Sequence, residues 1–396
     1  MYRSLSSRAK RQLQSCYSVF VLNGMLALSI GSLLPYIRDA RGLDYVFAGL
    51  LVSLHSIGNL LSSFLAGPVA VAVGRKKGVL CFNCFFPIAF LLLLVGNNNF
   101  MIAAAFFLTG FARGATSNFC NAVVNDLAPG QASALNGLHA MFSLGAFLFP
   151  LILMCITSGG SKRYVWAIIF MLAAGILSFL IYALIPDPED LKASKEESGE
   201  AIIKDKSLNF LKEKLFWLVV FSLFFYLCTE QGVIGWMVTY FEDTGFISEG
   251  LSQITASVLW IMIMAGRLTT AYLSTRMDKR KLLPIMGAGI LIFFVALLFA
   301  RNTALIIVCI MGFGFSMAGV YPTVVSFTGD LIRKYSMAWS FILTMASMGS
   351  IVMPSVIGHI AESAGIYMGM SSVAVVMVLD LILLIALCRY AIKKEA

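Results

Sequence analysis

PDPEDLKASKEESGEAIIKDKSLNFLKEK, residues 186–214, is a long polar interval in a chain that is otherwise strongly apolar. It opens with two prolines and carries charges of both signs, so residues 186–212 read as a soluble linker between two halves. On either side the composition is extreme: of 396 residues, 59% are hydrophobic and only 12% are charged. Many runs hold about 20 residues with almost no charge, enough to cross a hydrocarbon layer of about 30 Å as helix. Only helices and closed barrels satisfy their backbone hydrogen bonds in lipid. The apolar runs are unbroken rather than alternating, which excludes a barrel. The sequence therefore describes an all-α membrane protein. Twelve transmembrane helices are expected, in two pseudo-symmetric six-helix bundles, residues 1–185 and 213–396.

The expected helices cover 15–37, 45–73, 78–96, 100–126, 132–157 and 164–185 in the first half. In the second they cover 213–241, 250–275, 281–300, 302–329, 335–361 and 365–391. The basic N-terminus (Arg3, Arg8, Lys10, Arg11) leads into an apolar run from Cys16 to Ile37. That run is too long for the core of a signal peptide, so it reads as a retained helix. Cys81 and Cys84 form a C-x-x-C without a second pair or a flanking histidine, and packing explains them better than metal chemistry.

Lysine and arginine set the expected orientation. With the N-terminus inside, the cytoplasmic segments collect Arg75, Lys76, Lys77, the linker lysines, Arg333 and Lys334, among others. The outer segments hold only Arg38, Arg41, Lys162, Arg163 and Arg301. Both termini are therefore expected on the cytoplasmic side of the cell's inner membrane. The same bias accounts for the net charge of +9. Nucleic acid is not needed as a partner, because the basic residues are spread over short loops.

The halves repeat each other. SLGAFLFP (143–150) matches SMGSIVMP (347–354) in its Ser, Gly and Pro positions at an offset of 204 residues. GF at 110–111 recurs as GF at 312–313, an offset of 202. Gly67 starts GPVAVAVGRKK and Gly266 starts GRLTTAYLSTRMDKRK. Two similar bundles in one membrane point to alternating access around a central site.

Twelve helices, a central linker and basic loops after the second and eighth helices resemble the major facilitator superfamily over nearly the whole chain. That family's loop signature, G-x-L-A-D-R-x-G-R-K, is kept at Gly67, Gly74, Arg75 and Lys76, with Val71 and Ala72 at its acidic and first basic positions. LNGLHAMFSLGAFLFPLI (135–152), TEQGVIGWMVTYFEDTGF (229–246) and GRL (266–268) are similar to the fucose:proton symporter-like sugar permeases. The shared residues include Asn136, His139, Glu230, Trp236 and Arg267. The resemblance implies the major facilitator fold and proton-coupled uptake of sugars or related polar solutes. That branch often carries acids in its first and fourth helices, and the corresponding stretches here, NGMLALSIGSLLP and GATSNFCNAVV, hold none.

Glu230 and Gln231 sit inside an apolar run. An intramembrane carboxylate marks a substrate or proton path far more often than a surface one does. Glu230 is the candidate for both solute binding and proton coupling. Arg113, midway along the fourth helix, keeps its charge and needs a partner: Glu230 or a substrate anion. Asn121 lies on a stripe with Asn118 and Asn125, and amides suit hydroxyl-rich ligands. Asn23, His55, Asn59, Asn136 and His139 are further polar intrusions, of which Asn23, Asn136 and His139 join the candidate site. Trp236, Trp260 and Tyr321 offer flat faces for a sugar ring, although membrane aromatics also pack and anchor. Arg75, Asp126, Arg267 and Asp330 are candidate cytoplasmic gating residues.

These observations point to a secondary active transporter moving a small hydroxylated solute, a sugar or sugar acid, with protons and the lipid bilayer as its other partners. It is expected to work as a monomer. No ATP-binding loop, nucleophile–base pair or metal cluster is present, so neither enzymatic activity nor a cofactor or metal is expected. The competing reading is an exporter of amphipathic or drug-like compounds, for which 31 Phe and 20 Met would suit a greasy cavity.

Overall fold

The computed structural model describes residues 6–128, 132–184, 208–335 and 337–395, and among these no β-strand occurs. The first half holds α1 (Ser7–Arg41), α2 (Tyr45–Val73), α3 (Arg75–Asn83), α4 (Phe85–Val95), α5 (Asn99–Leu127), α6 (Ala132–Thr157) and α7 (Tyr164–Leu184). The second holds α8 (Lys214–Thr244), α9 (Glu249–Leu273), α10 (Lys279–Phe299), α11 (Thr303–Met317) and α12 (Val320–Val325). It ends with α13 (Gly329–Lys334), α14 (Ala338–Ala364) and α15 (Ile366–Glu395). Among the described residues they make 12 spans long and apolar enough to cross a membrane, α3 with α4 and α11 to α13 each counting as one. The expected linker lies outside the described residues over 186–207; its end, Asn209–Lys212, is a single 3-10 turn.

A proline follows the break in each of the two interrupted spans, whereas Pro35, Pro68, Pro150, Pro284 and Pro354 lie inside unbroken helices. A proline inside a helix has no N–H to give the carbonyl four residues back, and its ring clashes there. Pro87 does this to Asn83, and the helix breaks at Cys84. Pro322 does it to Ala318, and α11 ends at Met317. The continuous helix expected over 302–329 is thus three short helices and a 3-10 turn. The first helix also starts at Ser7, taking the basic residues Arg8, Lys10 and Arg11 into its opening turns.

Two compact units form: Met1–Tyr36 with Leu54–Ala201, and Ile37–Ser53 with Ile202–Ala396. In the first, α4 packs between α5 and α7. In the second, α8 packs against α14 and α15, and α10 against α11 and α15. The sequence repeat has a steric basis. A Cβ added at Gly145 of α6 would collide with the Val21 carbonyl of α1. One added at Gly349 of α14 would collide with the Phe224 carbonyl of α8. Small residues let membrane helices approach this closely.

The second repeat is offset differently from the GF match. Gly110 of α5 lies against the His55 carbonyl of α2, and its packing equivalent is Gly314, whose Cβ would fall 2.8 Å from the Leu259 carbonyl of α9. The offset is therefore 204 residues, as for Gly145 and Gly349. Gly312 of the matched GF pair instead lies against the Phe293 ring.

Candidate functional site

In the first unit, polar side chains meet at the middle of α1, α2 and α5. Asn23 is buried at 2% exposure, and its Nδ2 donates to Ser117 Oγ at 3.0 Å. Its Oδ1 has no hydrogen-bond partner among the described residues. Burying an amide oxygen unsatisfied is costly, which favours a ligand donor there. Arg113, half-buried, donates from Nη1 to Asn59 Oδ1 at 3.2 Å and lies 5.6 Å over the Phe142 ring. Asn59 thus ties α2 to the Arg113 guanidinium of α5. His55 is buried, with Nδ1 2.9 Å from Thr109 Oγ1, a tie between α2 and α5.

The asparagine stripe divides. Asn118 donates to the Ser63 carbonyl of α2 at 2.8 Å and joins two helices. Asn121 donates to the Ser117 carbonyl one turn back on its own helix at 2.8 Å. Asn136 and His139 of α6 are exposed, and the His139 ring stands edge-on to Phe20 at 5.9 Å.

In the second unit Glu230 and Gln231 are half-buried at the middle of α8. The Tyr226 hydroxyl lies one turn from Glu230, at 3.5 Å from Oε1, and at 3.4 Å from the Met317 carbonyl. Met317 is the last residue of α11, so this tyrosine meets a carbonyl at the helix break. Beyond the break, Thr323 Oγ1 donates to the Gly319 carbonyl at 2.6 Å. The Tyr321 ring lies 6.0 Å from that of Tyr226. An interrupted helix beside a carboxylate is how many transporters expose backbone groups at membrane depth.

The aromatic candidates separate by burial. Tyr321 is half-buried beside Tyr226, and Trp260 of α9 is 5% exposed. Trp236 is fully buried, its Nε1 donating to the Pro354 carbonyl at 3.1 Å, so its face is spent on packing α8 against α14.

Arg75, opening α3, pairs with Asp126 near the end of α5, the two side chains 42% and 29% exposed. Arg267 and Asp330 are exposed, and neither has an ion pair among the described residues. Two further groups belong beside the candidates named from the sequence. Tyr226 gives no sequence signal beyond its place one turn before Glu230. Asp380 of α15 gives the same signal as Glu230, a lone carboxylate in an apolar run, and is buried at 4% exposure.

The family model described as Major Facilitator Superfamily matches residues 16–354. The glucose/mannose transporter GlcP of Bacillus subtilis (strain 168) is 22% identical over 355 residues, 86% of this chain and 86% of that protein. A crystal structure of the nucleoside transporter NupG has a TM-score of 0.76 at 16% identity, covering 96% of this chain and 98% of that one. A structure of the E. coli fucose:proton symporter FucP has a TM-score of 0.63 at 16% identity, covering 97% of this chain and 99% of that one. At these identities the solved structures establish the shared fold.

Proposed function

The chain belongs to the major facilitator superfamily, and from that premise we propose that it is a secondary active transporter importing a small hydroxylated solute, a sugar or sugar acid, together with a proton. The observation that carries this reading is Glu230, half-buried at mid-helix beside Tyr226 and the α11–α12 break. A carboxylate kept there suits a hydroxyl-binding or proton-carrying role. Within the first unit, Asn23, Asn121 and Arg113 are donors and acceptors of the kind that sugars use. Proteins of similar sequence and fold are named for glucose and mannose, nucleosides and fucose, all rich in hydroxyls. The lysine and arginine bias supports cytoplasmic termini in the inner membrane, with the α1–α2 turn outside.

Proteoliposomes containing the purified protein test the reading. A labelled hexose, hexuronate and nucleoside are offered with and without an inward proton gradient. Accumulation of one of them, abolished by a protonophore, is the expected result. Failure of all three, with extrusion of an amphipathic dye instead, would move the assignment to an exporter.

A further inference from the structure

Halfway along α15 the sequence reads MVLDLILL, residues 377–384. Asp380 is the only charged residue in this run. The helix has 30 residues, so Asp380 lies about 20 Å from either end at the α-helical rise. Its side chain is 4% exposed, and Oδ1 has no hydrogen-bond partner among the described residues. Glycines draw the helix into its neighbours: a Cβ at Gly232 of α8 would lie 3.6 Å from Val373, and one at Gly287 of α10 would lie 2.9 Å from Leu384. Asp380 is therefore sealed between packed helices and does not snorkel to an interface.

The surroundings contain few titratable groups. On α8, Tyr226 and Cys228 lie within electrostatic range of Asp380. Tyr226 also reaches Glu230, and within its own range are Arg267 of α9 and Tyr321 of α12. The titratable residues of α10 are Lys279, Arg280 and Lys281 in its first turn, and those of α14 are His359 and Glu362 near its end. No cation is presented to Asp380 at its own depth by α10 or α14. An ionised carboxylate without a partner in a dry interior costs far more than folding can spare. A carboxyl in that setting is stable when it holds a proton, and it can release one when the surrounding helices move.

We propose that Asp380 is a proton-binding site of the transport cycle, a buried carboxyl besides Glu230. The proposal rests on the proton-coupled reading above and adds to it a second carboxyl, on the last helix. No covalent step is involved: the proton enters the Asp380 carboxyl from one side of the membrane and leaves to the other.

Two measurements test it. The first needs no solute. Infrared difference spectra of the purified protein are recorded between roughly pH 5 and pH 9. A protonated-carboxyl band is expected to titrate, to vanish in Asp380→Asn and to remain in Glu230→Gln. The second uses proteoliposomes with the transported solute. Asp380→Asn, which mimics the protonated acid, is expected to keep solute counterflow and to lose proton-driven accumulation at least tenfold, while Asp380→Glu restores it. If the parent moves none of the solutes tested, a titrating Asp380 band still upholds the site and only the solute assignment fails. A pH-insensitive Asp380 carboxyl, a band that responds to sodium at constant pH instead, or undiminished uphill accumulation by Asp380→Asn overturns the proposal.

Discussion

Arg38 of α1 and Asp243 of α8 lie 205 residues apart and form a largely buried ion pair, with Nη2 2.6 Å from Oδ1 and side-chain exposures of 11% and 14%. The Tyr45 hydroxyl donates to the same carboxylate at 2.8 Å, and the Arg38 guanidinium lies 4.7 Å over the Tyr45 ring. The Tyr45 N–H, which opens α2, donates to Glu362 of α14 at 2.9 Å. Ser53 continues the seam, its Oγ 2.6 Å from the Ile351 carbonyl. These bonds explain why Ile37–Ser53 belongs to the second compact unit.

Breaking a buried pair costs about 3 kcal/mol, although Arg38 keeps the exposed Asp39, 2.8 Å away, as a second partner when Asp243 is removed. Asp243→Asn and Arg38→Met are each expected to lower the melting temperature of the purified protein by several degrees. The Arg38→Met, Asp243→Met double variant should recover much of the loss, because no charge is then stranded. Single variants that melt with the parent would show that the pair contributes little.

Glu230→Gln keeps the size and hydrogen bonding of the side chain and removes its charge. Proton-driven accumulation is expected to fall at least tenfold while exchange of solute down its gradient continues. Initial rates with and without a proton gradient measure the split, and equal accumulation by variant and parent would remove Glu230 from the coupling role.

A variant at Arg113 tests sugar against sugar acid. Its guanidinium donates to Asn59 Oδ1, and a planar guanidinium fork suits a carboxylate. A charge-assisted hydrogen bond is worth about 1.5–3 kcal/mol, which is roughly a tenfold or greater change in affinity. Arg113→Gln should weaken a hexuronate by that factor and a neutral hexose less than about threefold. Competition against a labelled substrate reads both, and equal losses for the two solutes would make Arg113 a structural tie.

The glycine contacts make a stability prediction that needs no substrate. Gly145→Val and Gly349→Val each push a side chain into a facing backbone carbonyl, and backbone cannot step aside cheaply. Both variants are expected to yield little folded protein by size-exclusion profile. Gly67→Ala meets nothing within 4 Å and should stay within about 1 kcal/mol of the parent. Normal yields from both valine variants would mean that the helices separate more easily than their contacts imply.

Part of the candidate site is legible in the sequence alone. Glu230 and Arg113 stand out because a charge inside an apolar run is visible locally, and Asp380 carries the same local signal. Their partners are not visible: nothing in the sequence joins Asn59 to Arg113 or Tyr226 to the Met317 carbonyl. The matched GF pair shows the limit, since a two-residue similarity points to Gly312 while the helix contact uses Gly314. Trp236 shows it again, an aromatic suited to a sugar whose indole is committed to Pro354.

By itself the sequence determined the twelve spans and the charge asymmetry that argues for an orientation. These are local properties: the thickness of the bilayer sets the length of an apolar run, and loop charges are read one segment at a time. Only the tertiary structure decided which polar groups tie helices together, where Arg38 finds Asp243, and that Asp380 is sealed from solvent. In a soluble protein an apolar stripe reveals the buried face of a helix. In a membrane the lipid-facing side is as apolar as the core, so hydrophobic periodicity does not say which way a helix faces, and packing alone assigns each polar side chain its partner.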